Sequence, residues 1–433
     1  MRRFDFSDPG FDAAFDAFVA ERRGSSADVD EAVAGVIEAV RAEGLAAVLR
    51  YGERFDRVRL DETSIRVSPR EIQAGVDACP APLQGAIAFA AARIRAYHDR
   101  QRPADGRFVD EAGVELGWRW TPLEAVGVYV PGGRAAYPST VLMNVIPARA
   151  AGVERIAMVT PPGGLAPAVL AAAREAGVTE IWRVGGAQAC AALAFGAGPI
   201  RPVDKIVGPG NAYVTAAKRR LFGVVGIDAM AGPSEIVVVA DAANDPAWIA
   251  ADLLSQAEHD PAAQSILITD DAQFAAAVLG ALDAQLGVLA TADAAGAAWA
   301  DHGAVVIAPL ERAPGLVDRI APEHVELAVA DPAALAARIR HAGAIFLGRY
   351  APEAIGDYVA GCNHVLPTSG AARFSSGLSV QDFLKRTSII ACGSTAFAAL
   401  AGAAQILAEA EGLPAHARSL SIRRNFAAGP ERP

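Results

Sequence analysis

The spacing of apolar positions changes along the chain, and each change marks an element. Apolar residues recur at Val29, Val33, Val36, Ile37 and Val40, the three-and-four rhythm of one helix face, with Asp28 placed to act as its N-cap. A second helix is predicted from about residue 83 to 100, with Ile87, Ala91 and Ile94 on one side. β-rich runs then alternate with Ala-rich stretches: "VGVYV" at 126–130, "RIAMVT" at 155–160, "EIWRV" at 180–184, "DKIVG" at 204–208 and "EIVVVA" at 235–240. The rhythm continues with "SILIT" at 265–269, "AVVIA" at 304–308 and "GAIFLG" at 343–348. Apolar strands separated by helices predict an α/β fold with two Rossmann-like parallel sheets, both helix-covered, and right-handed crossovers.

Four segments follow. Residues 1–24 read as an N-terminal arm, and 25–131 together with 235–378 as a first α/β domain. Residues 132–234 hold a complete β/α series and read as a second domain inserted into the first. Residues 379–433 read as a helical tail that leaves the main body and ends in the polar "ARSLSIRRNF".

At 433 residues and 52% hydrophobic, the chain is too long and too apolar for a single core, which supports the division. The net charge of -10, with Lys and Arg scattered, argues against nucleic acid and anionic membranes as partners and leaves a small molecule. Cys79, Cys190, Cys362 and Cys392 form no CxxC pair, so neither a disulfide framework nor a thiolate zinc site is expected. The acidic, proline-containing "MRRFDFSDPG" is no secretory signal, and a cytoplasmic location is expected.

Candidate chemistry sits in the punctuating loops. Glycine turns follow three of the strands: "VPGGRAAYPS", "VGGAQA" and "VGPGNAY", each with a polar side chain close behind (Tyr137, Gln188, Asn211). Turns at the carboxyl ends of parallel strands put helix N-termini toward anionic groups, so dinucleotide contact is expected although no GxGxxG is present. In "LSQAEHDP", Gln256 and His259 stand three apart on one helix face, where an amide oxygen and an imidazole can reach one cation; a solvated helix-end histidine fits that pair equally well. Glu323 and His324 are adjacent in "IAPEHVEL", which suits two separate proton-transfer tasks better than a metal clamp, because neighbouring side chains diverge. Asp357 and His364 lie in a Gly-rich stretch, and Glu411 and His416 flank a Gly and Pro helix stop. Ser234, between Pro233 and a strand, is by itself no more than a turn serine.

Together these stretches resemble the histidinol dehydrogenase family along nearly the whole chain, through "VPGGRAAYPSTVLMN", "GGAQA", "KIVGPGNAYV", "DAMAGPSE", "QAEHDP", "APEHVEL", "GDYVAGCNHVLPT" and "EGLPAH". The resemblance implies two successive oxidations, L-histidinol to L-histidine through an enzyme-held aldehyde, with two NAD reduced. It implies zinc held by Gln256, His259, Asp357 and His416, and a catalytic pair in Glu323 and His324. Substrate contacts are implied at Ser234, His364 and Glu411 besides His324 and the metal ligands, and NAD contacts at Tyr129, Gln188 and Asn211. It also implies a homodimer whose tails cross, so that His416 serves the partner's site. A zinc- and NAD-dependent dehydrogenase of another small polar alcohol and a zinc hydrolase are the competing readings; Glu411, suited to binding an imidazole, favours histidinol over the first, and the glycine turns have no purpose in the second.

Overall fold

A computed structural model describes residues 1–21, 27–132, 136–230 and 232–424, the side chains of 27 and 28 excepted. In chain order its strands are β1 (Arg2–Asp5), β2 (Gly106–Val109), β3 (Glu115–Pro122), β4 (Ala125–Tyr129), β5 (Arg155–Thr160), β6 (Glu180–Arg183) and β7 (Lys205–Val207). They continue with β8 (Gly226–Ile227), β9 (Glu235–Ala240), β10 (Gln264–Thr269), β11 (Ala304–Ile307), β12 (His324–Ala328), β13 (Ala344–Leu347) and β14 (Leu384–Ala391). The chain separates into two compact units, one of Met1–Gln101 with Leu123–Phe383, the other of Arg102–Pro122 with Leu384–Pro433.

The first unit holds two parallel sheets, ordered β1-β11-β10-β9-β12-β13 and β6-β5-β4-β7-β8, as an α/β fold requires. Strands β9 and β10 are wholly buried, which is why their sequences read as unbroken apolar runs. One face of the six-stranded sheet, through Ile236, Val238, Leu267 and Val305, packs on the helices Pro246–Ala257, Ala272–Leu286 and Ala292–His302. Its other face, through Val237, Val239, Ile266 and Val325, packs on Phe4, Phe11, Phe15, Phe18 and the helix Ala313–Ile320. The five-stranded sheet is covered in part by Val33, Ile37, Val40 and Val48 of the two helices that precede it.

Three expectations about organisation need correction. The first residues are no separate arm: β1 pairs in parallel with β11, and Phe15 is completely buried. Charged "RRFD" hides that strand from an apolar-run reading, since only an edge position tolerates it. Strand β4, placed above in the first domain, pairs with β5 and β7, so the inserted sheet begins before residue 132. The tail opens not as a long helix but as a single 3-10 turn, Val380–Phe383, that leads straight into strand β14. The predicted helix from about 83 to 100 is Ala81–His98, and the first helix is Ala27–Glu43, so Asp28 falls inside its first turn; its capping contact lies outside the described side chains.

The second unit is an antiparallel sheet, β14-β3-β2, followed by the helices Ser394–Ala410 and Pro414–Arg424. Gly412, at φ +70, makes the turn between those helices. Ile390, Leu400, Ile406, Leu407 and Ile422 of this unit are exposed.

Candidate active site

The helix Pro246–Ala257 starts cleanly, with Asp245 accepting from the Ala247 amide and proline at the first turn. Ile249, Ala250, Leu253, Leu254 and Ala257 are buried against the six-stranded sheet, which pins the helix. Running antiparallel to the strands, it delivers its C-terminal end to their amino edge. Gln256 there is wholly buried, and its Nε2 lies 3.3 Å from His259 Nδ1.

Strand β12 begins at the same edge. His324 registers with Ile236 of β9 and Glu326 with Val238, which puts both polar side chains on the face covered by that helix. His324 Nδ1 lies 3.1 Å from Gln256 Oε1 and 3.2 Å from the Glu235 carbonyl. Both neighbours are acceptors, so Nδ1 carries the proton and Nε2 keeps its lone pair. Nε2 is buried, has no hydrogen-bond partner among the described residues, and faces Asp357 Oδ1 at 3.9 Å. Burial brings the His324 pKa down to about 3, helped by the imidazoles of His259 and His364 and opposed by the Glu235 carbonyl. The ring is a neutral base with one free nitrogen.

Glu323 accepts from the Glu235 amide at 3.1 Å, and the Ser234 hydroxyl bonds to it as well. Burial raises its pKa well above the usual range, and the carboxylates of Glu235 and Asp357 push the same way. The expected divergence of Glu323 and His324 is small: Oε2 and Nδ1 are 3.9 Å apart, because the first is anchored to β9 at the point where the second enters β12. Asp357, on a π-helical turn that Gly361 ends at φ +109, is raised to about 7 by burial. His364 Nδ1 donates to the Asp357 carbonyl at 3.0 Å, and burial lowers that ring to about 4.

One further residue enters. Glu353, 2% exposed, brings Oε1 within 3.6 Å of His324 Nδ1 and leaves Oε2 buried without a partner among the described residues. Ligand atoms of His324, Glu353 and Asp357 all lie within 4.8 Å of one another. The Asp357 carboxyl held at raised pKa by burial, the His259 imidazole held neutral by burial and the neighbouring Gln256 amide form a nitrogen and oxygen donor set that a divalent cation satisfies, and the residues present therefore fit zinc, with His324 Nε2 left open beside them. Glu353 stands one helical turn before Asp357, but nothing in the sequence distinguishes it from the surface glutamates, and it was not anticipated there.

A second constellation occupies the carboxyl edge of the five-stranded sheet. Tyr129 ends β4, 3% exposed, and its hydroxyl accepts from the Gly186 amide at 3.0 Å. Gly186, at φ +65, opens the helix that carries buried Gln188. Asn211 caps the helix Ala212–Leu221, accepting from the amides of Tyr213 and Val214. Gly208 before it, at φ +108, would carry a Cβ 2.2 Å from the Tyr129 carbonyl, so only glycine fits there. Two helix N-termini and three glycine turns on one edge suit a pyrophosphate. Part of the first turn, residues 133–135, lies outside the described residues.

The structure thus gathers Ser234, Gln256, His259, Glu323, His324, Asp357 and His364 on the six-stranded sheet, and Tyr129, Gln188 and Asn211 on the five-stranded one. Glu411 and His416 belong to the second unit, where both are exposed. Cys79, Cys190, Cys362 and Cys392 are all free thiols, as their spacing suggested. Among the described residues no helix is long and apolar enough to cross a membrane.

A dinucleotide-type edge and a buried imidazole base among metal donors are the parts of a metal-assisted oxidoreductase on an α/β fold. Comparison with known proteins makes this specific. A profile of histidinol dehydrogenases matches residues 19–424. The histidinol dehydrogenase of Caulobacter vibrioides is 73% identical over 423 residues, 98% of this chain and 99% of the relative. That of Rhodospirillum rubrum is 58% identical over 427 residues, 98% of each. The crystal structure of histidinol dehydrogenase from Elizabethkingia anophelis superposes with a TM-score of 0.92, at 36% identity and 98% coverage of both chains. The chain belongs to the histidinol dehydrogenase family. It is accordingly an NAD- and zinc-dependent oxidoreductase of histidine biosynthesis.

Proposed function

We propose that the cluster on β9 and β12 oxidises L-histidinol to L-histidine in two NAD-coupled steps, with His324 as the base for the alcohol and Glu323 as the base for water. The observation that carries this is the His324 ring: Nδ1 committed to Gln256 and Glu235, Nε2 buried and open. An imidazole neutral down to about pH 3 takes the hydroxyl proton at Nε2 without first losing one of its own. NAD accepts the hydride in each step. Glu323 then takes a proton from the water that adds to the aldehyde carbon while His324 returns its proton to the aldehyde oxygen, and the freed His324 takes a hydroxyl proton of the resulting hydrate as the second hydride leaves for NAD. Ser234 holds the Glu323 carboxylate in place for that task. Zinc supplies a Lewis-acidic template for the substrate's amine and imidazole. Gln256, His259 and Asp357 would hold it on this chain.

His416 completes the set from a second copy, in a homodimer, and Glu411 of that copy binds the substrate imidazole. Support comes from the exposure of both residues and of Leu400, Ile406 and Leu407 on the helix preceding them, an apolar surface of the kind that subunit contacts cover. Mixed dimers of His416→Ala and His259→Ala chains test the sharing. They regain activity if each pairs one intact half-site with another, and stay inactive if every chain builds its own.

The overall reading is tested by following NADH formation with purified protein, L-histidinol and NAD, before and after chelation and after zinc is returned. Turnover that is lost on chelation and restored by zinc is expected. Chelation-insensitive turnover, or none with L-histidinol, would overturn it.

A further inference from the structure

The helix Leu45–Asp56 ends on a carboxylate, against the usual preference, since the C-terminal end of a helix is its negative end. Arg57 follows in the left-handed conformation, at φ 57, and turns the chain away. Asp56 Oδ2 is shielded from solvent and has no hydrogen-bond partner among the described residues. A carboxylate oxygen in that position costs stability unless a ligand donates to it. Burial also raises the Asp56 carboxyl above its ordinary range. Among the described residues no donor to Asp56 Oδ2 accounts for an acid here.

Its surroundings supply the reason. The helix packs against the helix Gly186–Phe195, whose first turn holds the amide that donates to Tyr129. Asp56 is close enough to Tyr129 to act electrostatically on that hydroxyl. The unpartnered oxygen therefore belongs to the glycine-turn edge of the five-stranded sheet. The hydride leaves a substrate carbon held beside His324 for the nicotinamide, so on this reading the nicotinamide half lies toward the six-stranded sheet and the half near Asp56 is the adenosine half.

We propose that Asp56 determines cofactor choice: its carboxylate accepts a hydrogen bond from the 2′-hydroxyl of the adenosine ribose, and its charge turns away a 2′-phosphate. In the familiar dinucleotide fold an acidic residue follows the glycine turn by about 20 residues and does this work. Here the same chemistry comes from a helix preceding β4 in the chain, which no motif spacing reveals. The inference rests on the reading that this edge holds NAD.

Equilibrium binding tests it, with zinc-loaded, full-length protein and titrations of NAD, NADP and 2′-deoxyadenosyl NAD. NAD is expected to bind Asp56→Asn and Asp56→Ala about tenfold more weakly, the worth of a hydrogen bond to a charged acceptor. The preference for NAD over NADP should shrink by at least a similar factor. The deoxy analogue should bind the unmodified protein about tenfold more weakly than NAD and the variants equally with NAD. Thermal melting should hold or rise in both variants. The proposal is overturned if the unmodified protein binds the deoxy analogue as tightly as NAD, a result needing no variant, or if both variants keep the original NAD to NADP ratio. Failure of the unmodified protein to bind either dinucleotide would instead overturn the assignment of the edge to NAD.

Discussion

Lys218 and Asp228 form an ion pair with side chains only 3% and 4% exposed, and together they fix the turn that leads to Asn211. The lysine donates to the Gly208 carbonyl at 3.0 Å, while Asp228 accepts from the amides of Gly208 and Ala229, both at 2.7 Å. Asp228→Asn removes the charge but keeps an acceptor, and leaves an ammonium buried without its counter-ion. Breaking a buried pair in this way costs about 3–5 kcal/mol. Lys218→Met should cost less, about 1–3 kcal/mol, because Asp228 retains two amide donors. The double variant removes both charges and should recover most of the stability, since an apolar replacement of a buried pair is often close to neutral. Its affinity for NAD should not recover. With the Gly208 carbonyl released, a loss of about tenfold is expected, the worth of one such hydrogen bond. Urea unfolding followed by circular dichroism measures the first quantity, and NAD titration of the folded protein the second. Unchanged unfolding in Asp228→Asn, or a double variant that recovers stability and NAD affinity together, would refute the claim that this pair supports the cofactor turn.

Glu323→Gln should leave histidinol oxidation to the aldehyde largely intact and slow aldehyde oxidation about 10²–10⁴-fold, the usual worth of a general base, measured by supplying the aldehyde directly. Behind His324, burial and the neighbouring Asp252 push Glu326 up to about 9, and burial pushes Asp252 up to about 6. A carboxyl whose folded pKa is raised binds its proton more tightly in the folded chain. Its contribution to stability is therefore full below the ordinary carboxylate range and falls as pH rises toward the folded value. Thermal melting of the metal-free protein should accordingly drop between about pH 5 and pH 9, and Glu326→Gln should flatten the slope; an unaltered slope would count against a buried proton on that side chain. Phe15→Ala, emptying a fully buried site, should cost about 3–5 kcal/mol and show that residues 1–20 belong to the core. A loss under about 1 kcal/mol would favour a detached arm after all.

What could be seen in the sequence depended on how each element is solvated. Strands β5, β9 and β10 are buried on both faces, so they read as apolar runs. Strand β12 did not, because His324 and Glu326 alternate with Val325 and Leu327 and turn functional groups toward a helix. Exposed β2, β3 and β14 were missed: β2 and β3 form a local hairpin with no buried apolar run to mark it, and β14 joins β3 from more than 250 residues away, a pairing that no local window contains. Gln256 was legible as a helix residue and its closeness to His259 from their spacing, although the helix ends at Ala257 and His259 lies in the turn beyond it; the glycine turns were legible from their positions after strands. Their roles were not, and came with the family resemblance. Glu353 and Asp56 went unseen because burial, not residue type, sets them apart from other acids.

The central claim is that distant segments supply one metal site. Its most direct measurement is the zinc content of purified, dialysed protein, for the unmodified chain, Gln256→Ala, His259→Ala and His416→Ala, each checked for folding by circular dichroism. One zinc per chain is expected in the first and a large loss in each of the others, whereas zinc retained at the original stoichiometry in His259→Ala would contradict the account.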